Sequence, residues 1–310
     1  MIRFLLIRLI RALVTLFICV TAVFLLLRVS GDPAAILLPP ETPPAVRAEI
    51  SRSWGLDRPL IEQFGLYLKA ISQGSLGYSF TDNRPAVDVV VESLPKTFLL
   101  GSFALTFALL LGLPLGIIAA LRHNTSIDRG VMALAVFGYS VPIFFLAILL
   151  ILLFALSLRI LPSAGSATWA HLVMPVLTLG LPLAGRIARF TRTSALEVLG
   201  KPFIRTARAK GVRRLGVILW HAAPNAAVPL LMYLGIEIGA ILAGAAVTET
   251  VFAWPGLGRL LVESVAVRDL PVVQAAILVS TFIMVVSNLT FDIFHAVLDP
   301  RVGAREWSAS

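Results

Sequence analysis

Three long stretches of this chain, 97–121, 130–158 and 270–291, contain no Asp, Glu, Lys or Arg. Each holds at least the ~20 residues that a helix needs to cross the hydrocarbon core of a bilayer. Core helices of soluble proteins rarely run so far without a polar face, because one side of them meets water. A mean hydropathy of +0.92 points the same way. The chain therefore reads as an all-α polytopic membrane protein. Its apolar runs predict six transmembrane helices, near 7–27, 97–121, 131–158, 172–190, 227–246 and 271–296. The first run opens with Arg3, Arg8 and Arg11, as a signal peptide would. Its uncharged part, 12–27, is long for a signal core and no A-x-A site follows, so it reads as a membrane anchor.

A net charge of +9 would suit a nucleic-acid partner in a soluble protein. In a membrane protein the excess of cations in cytoplasmic loops explains it, and no nucleic acid is expected. One side of the six spans holds Arg3, Arg8, Arg11, Arg122, Arg129, Arg301 and Arg305. The same side holds Arg189, Arg192, Lys201, Arg205, Arg208, Lys210, Arg213 and Arg214. The short loops opposite offer Arg159, Arg259 and Arg268, so both termini are expected in the cytoplasm.

The chain then divides into an N-terminus and first span (1–29), an extracytoplasmic insertion (30–95), the remaining spans (96–296) and a cytoplasmic tail (297–310). The insertion is rich in acids, among them Glu49, Asp57, Glu62, Asp82, Asp88 and Glu92. Its entry, "LLPPETPP", is extended, because adjacent prolines exclude helix. Two short amphipathic helices broken at "GLDRP" follow. It is too small for a catalytic domain and reads as a cap or a docking surface. Cys19 is the single cysteine and permits no intrachain disulfide.

Catalytic motifs are missing. The sequence has no G-x-x-x-x-G-K-[ST], H-E-x-x-H, C-x-x-C or G-x-S-x-G. His123, His171, His221 and His295 are too scattered for a metal cage and read as membrane-interface residues. No catalytic residue, metal or cofactor is expected in this chain.

The densest charge lies in the longest cytoplasmic loop, about 191–226, where "RTARAKGVRRLG" spans 205–216. The preceding "LEVLGKPFIRTARAKG" predicts a helix interrupted near "GKP", resuming about Phe203 and closing at Gly211. Arg208 and Lys210 fall where cations complement the carbonyl end of a helix. Thr206, Ala207, Ala209 and Gly211 are small, which would let another protein surface approach the backbone.

Gly211, nine intervening residues and then "HAAP" ending at Pro224 match the spacing of the "EAA" loop of ABC importer permeases. "TRTSALEVL", "ETVFAWPGLGRL", "RDLPVVQ" and "LDPR" extend the match, with "GDPA", "GLDRPLIEQF", "SLPKTF", "SVPIFF" and "LPSAG" upstream. Over nearly its whole length the chain resembles the dipeptide, oligopeptide and nickel permeases, and its short N-terminus resembles the first of their two paralogous subunits. Arg205 stands where the general loop pattern has Glu, "QGSLGYS" lacks the usual Asp, and His295 replaces a common Tyr.

The resemblance implies an ABC type I importer permease of the bacterial inner membrane. Its partners would be a paralogous permease, two cytoplasmic ATPase subunits, an extracytoplasmic solute-binding protein and membrane lipid. ATP would be used by the partner subunits, and this chain would bind no cofactor. The motif positions Arg205, Thr206, Ala207, Arg208, Ala209, Lys210 and Gly211, with Pro224 and Asn225, would form the loop that docks on the ATPase. Peptides are the cargo most implied, with nickel, glutathione and oligosaccharides as relatives' alternatives.

A solute pathway is expected near Glu237, Glu249, Trp254, Pro255, Gly256 and Gly258. "ETVFAWPGLG" could re-enter as an outer gate, or be an ordinary turn with an interfacial Trp254. Glu237 lies deep in an apolar span, where a carboxylate needs water or a partner. It either faces the pathway or pairs with Arg186. A proton-coupled carrier using Glu237 is the competing function, disfavoured by the absence of paired half-repeats. Pro142 is expected to kink the third span, Gly235 and Gly239 to permit close helix packing, and Asp269 to start the last span. Asp299 reads as structural.

Overall fold

The computed structural model describes residues 2–29, 42–53 and 57–298, and among them the regular elements are all helices. They are α1 (Ile2–Val29), α2 (Pro44–Ser53), α3 (Leu60–Ser72), α4 (Ala86–Leu121) and α5 (Ser126–Ser140). Next come α6 (Ile143–Leu150), which widens into a π-helical stretch Ile151–Ser157, α7 (Ala170–Leu199) and α8 (Pro202–Ala209). A turn, Arg214–Gly216, and a second π-helical stretch, Val217–Ala222, lead into α9 (Ala223–Val251). The last elements are α10 (Leu257–Ala266) and α11 (Leu270–Leu298). Asp32, Glu41, Asp299, Arg301 and Arg305 lie outside the described residues.

By length and composition four helices can cross a membrane: Leu6–Leu25, Ala86–Leu121, Ala170–Leu199 and Leu270–Phe291. Two bent pairs, 126–157 and 214–235, raise the number to six. The third expected span is broken rather than kinked, because α5 and the helix from Ile143 meet at 98°. The residue before a proline is pushed out of the helical region. Val141 is accordingly extended (φ −76°, ψ 126°), and Pro142 begins a new helix by accepting from the Leu146 amide at 3.0 Å. The second span also starts earlier than its apolar run. Pro85 accepts from the Asp88 amide at 3.0 Å and Asp88 sits in the first turn, so α4 takes in residues 86–95.

Two compact units divide the chain. The first is 96–259 with both ends of the chain, and α7 runs through its centre. Leu172 and Leu179 of α7 pack with Leu100, Ala104, Ala245 and Trp254. Leu183, Ala184 and Ile187 pack with Ala108, Leu234 and Ile241, and Met174 with Ala147, Leu150 and Phe252. Lipid supplies no hydrophobic drive between spans, so small residues that let helices approach closely carry this association. Gly235 behaves as expected: a Cβ there would lie 3.0 Å from the Phe291 Cβ of α11.

The second unit is 9–95 with 260–285. Here α3 lays its aromatic face along α1, with Phe24 stacked on Tyr67 at 5.5 Å and Phe64 edge-on to Phe17 at 6.2 Å. Cys19 shares a hydrogen bond with Thr281 of α11 at 3.1 Å. Asp269 starts α11 as expected, accepting from the Val272 amide at 3.4 Å, but its second oxygen does more. It gathers Ser79 Oγ (2.6 Å), Thr81 Oγ1 (2.9 Å) and the Phe80 and Thr81 amides (3.1 and 3.3 Å). Burial pushes this carboxyl up, yet the hydrogen bonds outweigh it and hold it below the usual carboxylate range.

Candidate functional site

The helix around "RTARAKG" forms between the bounds its residues predict. Gly200 caps α7, Lys201 is extended (φ −71°, ψ 151°), and Pro202 takes the first helical position of α8. At the far end the Gly211 amide bonds the Arg208 carbonyl (3.0 Å) and the Val212 amide bonds the Ala207 carbonyl (3.2 Å). That pair of bonds is a Schellman stop, which places its glycine in the left-handed region; Gly211 has φ +77°. Arg205, Thr206, Arg208, Ala209, Lys210 and Gly211 are exposed. Arg205, Arg208, Lys210, Arg213 and Arg214 make no ion pair among the described residues. Ala207 differs from the expectation of a bare outward face. It is buried with Val198, Ile204, Val217 and Ala222, so it anchors α8 to its own chain. Asn225 donates to the His221 carbonyl (2.8 Å) and Pro224 is exposed beside it.

The expected outer turn is a tight knot around Glu249. Oε1 accepts from Thr97 Oγ1 (2.7 Å), and Oε2 from the Gly258 (2.7 Å) and Arg259 (3.1 Å) amides. The same threonine hydroxyl accepts from the Leu257 amide at 2.7 Å. The first-turn amides of α10 are thereby satisfied by a carboxylate, which the helix dipole also favours. Glu249 is 0% exposed, and a Cβ on Gly256 would overlap its carboxylate. Trp254 is 2% exposed and donates Nε1 to the Lys96 carbonyl (3.0 Å), so it is a packed anchor and not an interfacial ring. Gly258 lies against the Ala246 backbone, and Pro255 is exposed.

Glu237 pairs with Arg186. Arg186 Nε donates to both carboxylate oxygens (3.0 and 3.2 Å) and Nη2 to Oε2 (2.7 Å). Tyr233 donates its hydroxyl to Oε1, and its ring stacks on Phe190 at 4.5 Å. Of the two arrangements open for Glu237, the structure holds the ion pair, which joins α7 to α9.

Sequence reasoning missed Thr97, Lys96 and Tyr233 as partners of these groups, and it missed a fourth buried carboxylate. Asp128 is 2% exposed and accepts Arg192 Nε at 2.5 Å and Nη2 at 2.8 Å. "TSID" carried a signal for it. Thr125 is the N-cap of α5 and accepts from the Asp128 amide, three residues on, where a capping acid belongs.

These long apolar helices, broken spans and charged loop define a polytopic membrane protein. Residues 112–304 match the family described as binding-protein-dependent transport system inner membrane component. Residues 1–101 match its N-terminal counterpart. The chain is 41% identical over 303 residues to the glutathione transport system permease protein GsiC of Escherichia coli O6:H1, covering 97% of this chain and 99% of that one. The Escherichia coli K12 protein of the same name is 40% identical over the same shares. An inward-facing structure of the MetNI methionine ABC transporter covers 68% of this chain and 96% of its own, at TM-score 0.57 and 19% identity. An amino acid ABC transporter solved with histidines gives TM-score 0.50 at 21% identity over 69% of this chain and 94% of that one, and both likenesses show the fold. The chain belongs to the ABC importer permeases of the dipeptide, oligopeptide and nickel type. It is a multi-pass inner-membrane subunit of a system that also comprises ATPase and binding-protein components.

Proposed function

We propose that this permease carries small peptides, including glutathione-like tripeptides, inward across the membrane, with energy supplied by ATP hydrolysis on partner subunits. The observation that carries the cargo is the 41% identity, end to end, to a glutathione permease. The chain works as one half of a heterodimer with a paralogous permease, set in lipid with both termini in the cytoplasm. One of the two ATPase subunits takes up the exposed face of α8, which the Schellman stop at Gly211 presents as a short rigid peg. The acidic insertion meets the binding protein outside. No cofactor binds this chain, and ATP stays with the partners.

The proposal is tested by reconstituting the chain with its second permease, ATPases and binding protein in sealed vesicles. Uptake of labelled glutathione and of di- and tripeptides is expected to need both ATP and the binding protein, and to persist when an uncoupler collapses the proton gradient. Uptake of nickel or oligosaccharide without peptide uptake would overturn the cargo. Collapse by the uncoupler at constant ATP would point to a carrier and overturn the energy source.

A further inference from the structure

Asp128 stands outside both the loop and the outer turn, yet its carboxylate is the most heavily engaged polar group between α5 and α7. Besides the two bonds from Arg192, it accepts from the Asn124 amide (2.9 Å), and His123 Nδ1 lies 3.3 Å from it. Arg192 Nη2 also reaches His123 Nδ1 at 3.1 Å. Asn124, with φ +63°, turns the chain tightly round this carboxylate. A forked guanidinium on a carboxylate fixes direction as well as distance. Further along, Arg189 donates to the Tyr139 hydroxyl (3.0 Å) and lies over its ring, 5.2 Å from the centroid. The two backbones also touch, since a Cβ on Gly185 would come 2.5 Å from the Ala135 carbonyl oxygen. Three ties along one helix pair oppose sliding and rolling.

We propose that Asp128 and Arg192 are positioning residues for energy coupling, locking α5 and α7 into one arm that carries displacement of α8 to the break at Ser140–Pro142. At one end of the arm, α7 runs unbroken from Arg192 to Leu199, and Val198 packs against Ile204 and Ala207 of α8. At the other end α5 stops at the 98° break, beyond which Ala147 and Leu150 pack on Phe252 in the turn after α9. A push on α8 therefore reaches the segment 143–157 through rigid elements. A loose junction at Asp128 would absorb it. The proposal rests on the reading of α8 as the ATPase contact.

In the assembled transporter with Cys19→Ala, the pair Asp128→Cys and Arg192→Cys is made and its two thiols are joined by a short bis-methanethiosulfonate reagent. The bridged protein is expected to keep most of its ATP-driven uptake, because the cycle never separates these helices. Unbridged, it is expected to hydrolyse ATP at near the parent rate while uptake per ATP falls several-fold. Arg192→Lys, which keeps charge but not the fork, is expected to fall between. A bridge that stops transport or an unbridged pair with parental coupling would each overturn the arm. Gly211→Trp separates the two readings. If it leaves coupling normal, α8 is not the contact; if it uncouples while the Asp128 variants do not, the arm alone is wrong.

Discussion

Taking the charge from Glu237 leaves the Arg186 guanidinium in an apolar span with its partner removed. Removing one member of a buried pair costs about 3–5 kcal/mol. Arg186 is 31% exposed on its side chain, which sets the expectation for Glu237→Gln near the lower end, about 3 kcal/mol. Thermal unfolding of the purified complex should show it, and Glu237→Gln with Arg186→Gln should recover most of the loss. A single variant as stable as the parent would show that the pair holds nothing together. Asp269 offers a test by pH. Its folded carboxyl lies below the usual range, so ionisation stabilises the fold above the unfolded value of about 4, and that contribution is lost as pH falls through the folded value. Asp269→Asn is therefore expected to cost about 1–2 kcal/mol at neutral pH. Its deficit against the parent should shrink below about pH 4, and a deficit that stays constant on acidification would contradict the assignment.

At the scale of elements, α8 is defined at both ends by residues with few alternatives. A Cβ at Gly211 meets nothing within 4 Å, so substitution there is limited by backbone strain and by whatever docks outside. Left-handed backbone costs an ordinary L-residue roughly 1–2 kcal/mol, and asparagine less. Gly211→Asn is expected to keep uptake close to the parent, Gly211→Val to weaken it, and Gly211→Trp to insert normally but not to drive uptake; equal activity in all three would remove α8 from the interface. The limits of α8 were legible because Gly200, Pro202 and Gly211 act locally, each through its own φ preference. The break at Pro142 was legible as a position but not as an angle, since a proline pushes the residue before it out of the helix without fixing the 98° that follows. The inward turn of Ala207 was illegible for the same reason, because its neighbours Val217 and Ala222 lie on a different element.

For the whole molecule, a bundle of four to six apolar spans was legible in composition, whereas most partners of the buried acids were not. Asp128 meets Arg192, Glu249 meets Thr97 and Asp269 meets Ser79, and Glu237 with Arg186 was foreseen as one of two arrangements. No periodicity encodes pairings so far apart along the chain. Sidedness can be checked directly in the Cys19→Ala background. A cysteine at Arg205 should react with an impermeant maleimide only after the membrane is opened, and one at Asp82 in intact spheroplasts. The reverse pattern would invert the topology.

Two stretches of this transporter, Ile151–Ser157 and Val217–Ala222, are wound more loosely than the helices they continue. A π-turn closes on the fifth residue instead of the fourth, so it can store an extra residue without shifting the elements on either side. Each stretch is thus a point where the gene can lose a codon and keep its reading of the fold. Deleting one residue from 217–222 is expected to tighten that turn into ordinary helix and leave α8 and α9 seated. Deleting one from the middle of α7 should rotate everything beyond it by about 100°. Single-residue length differences among relatives should accordingly collect at these two places and avoid α7.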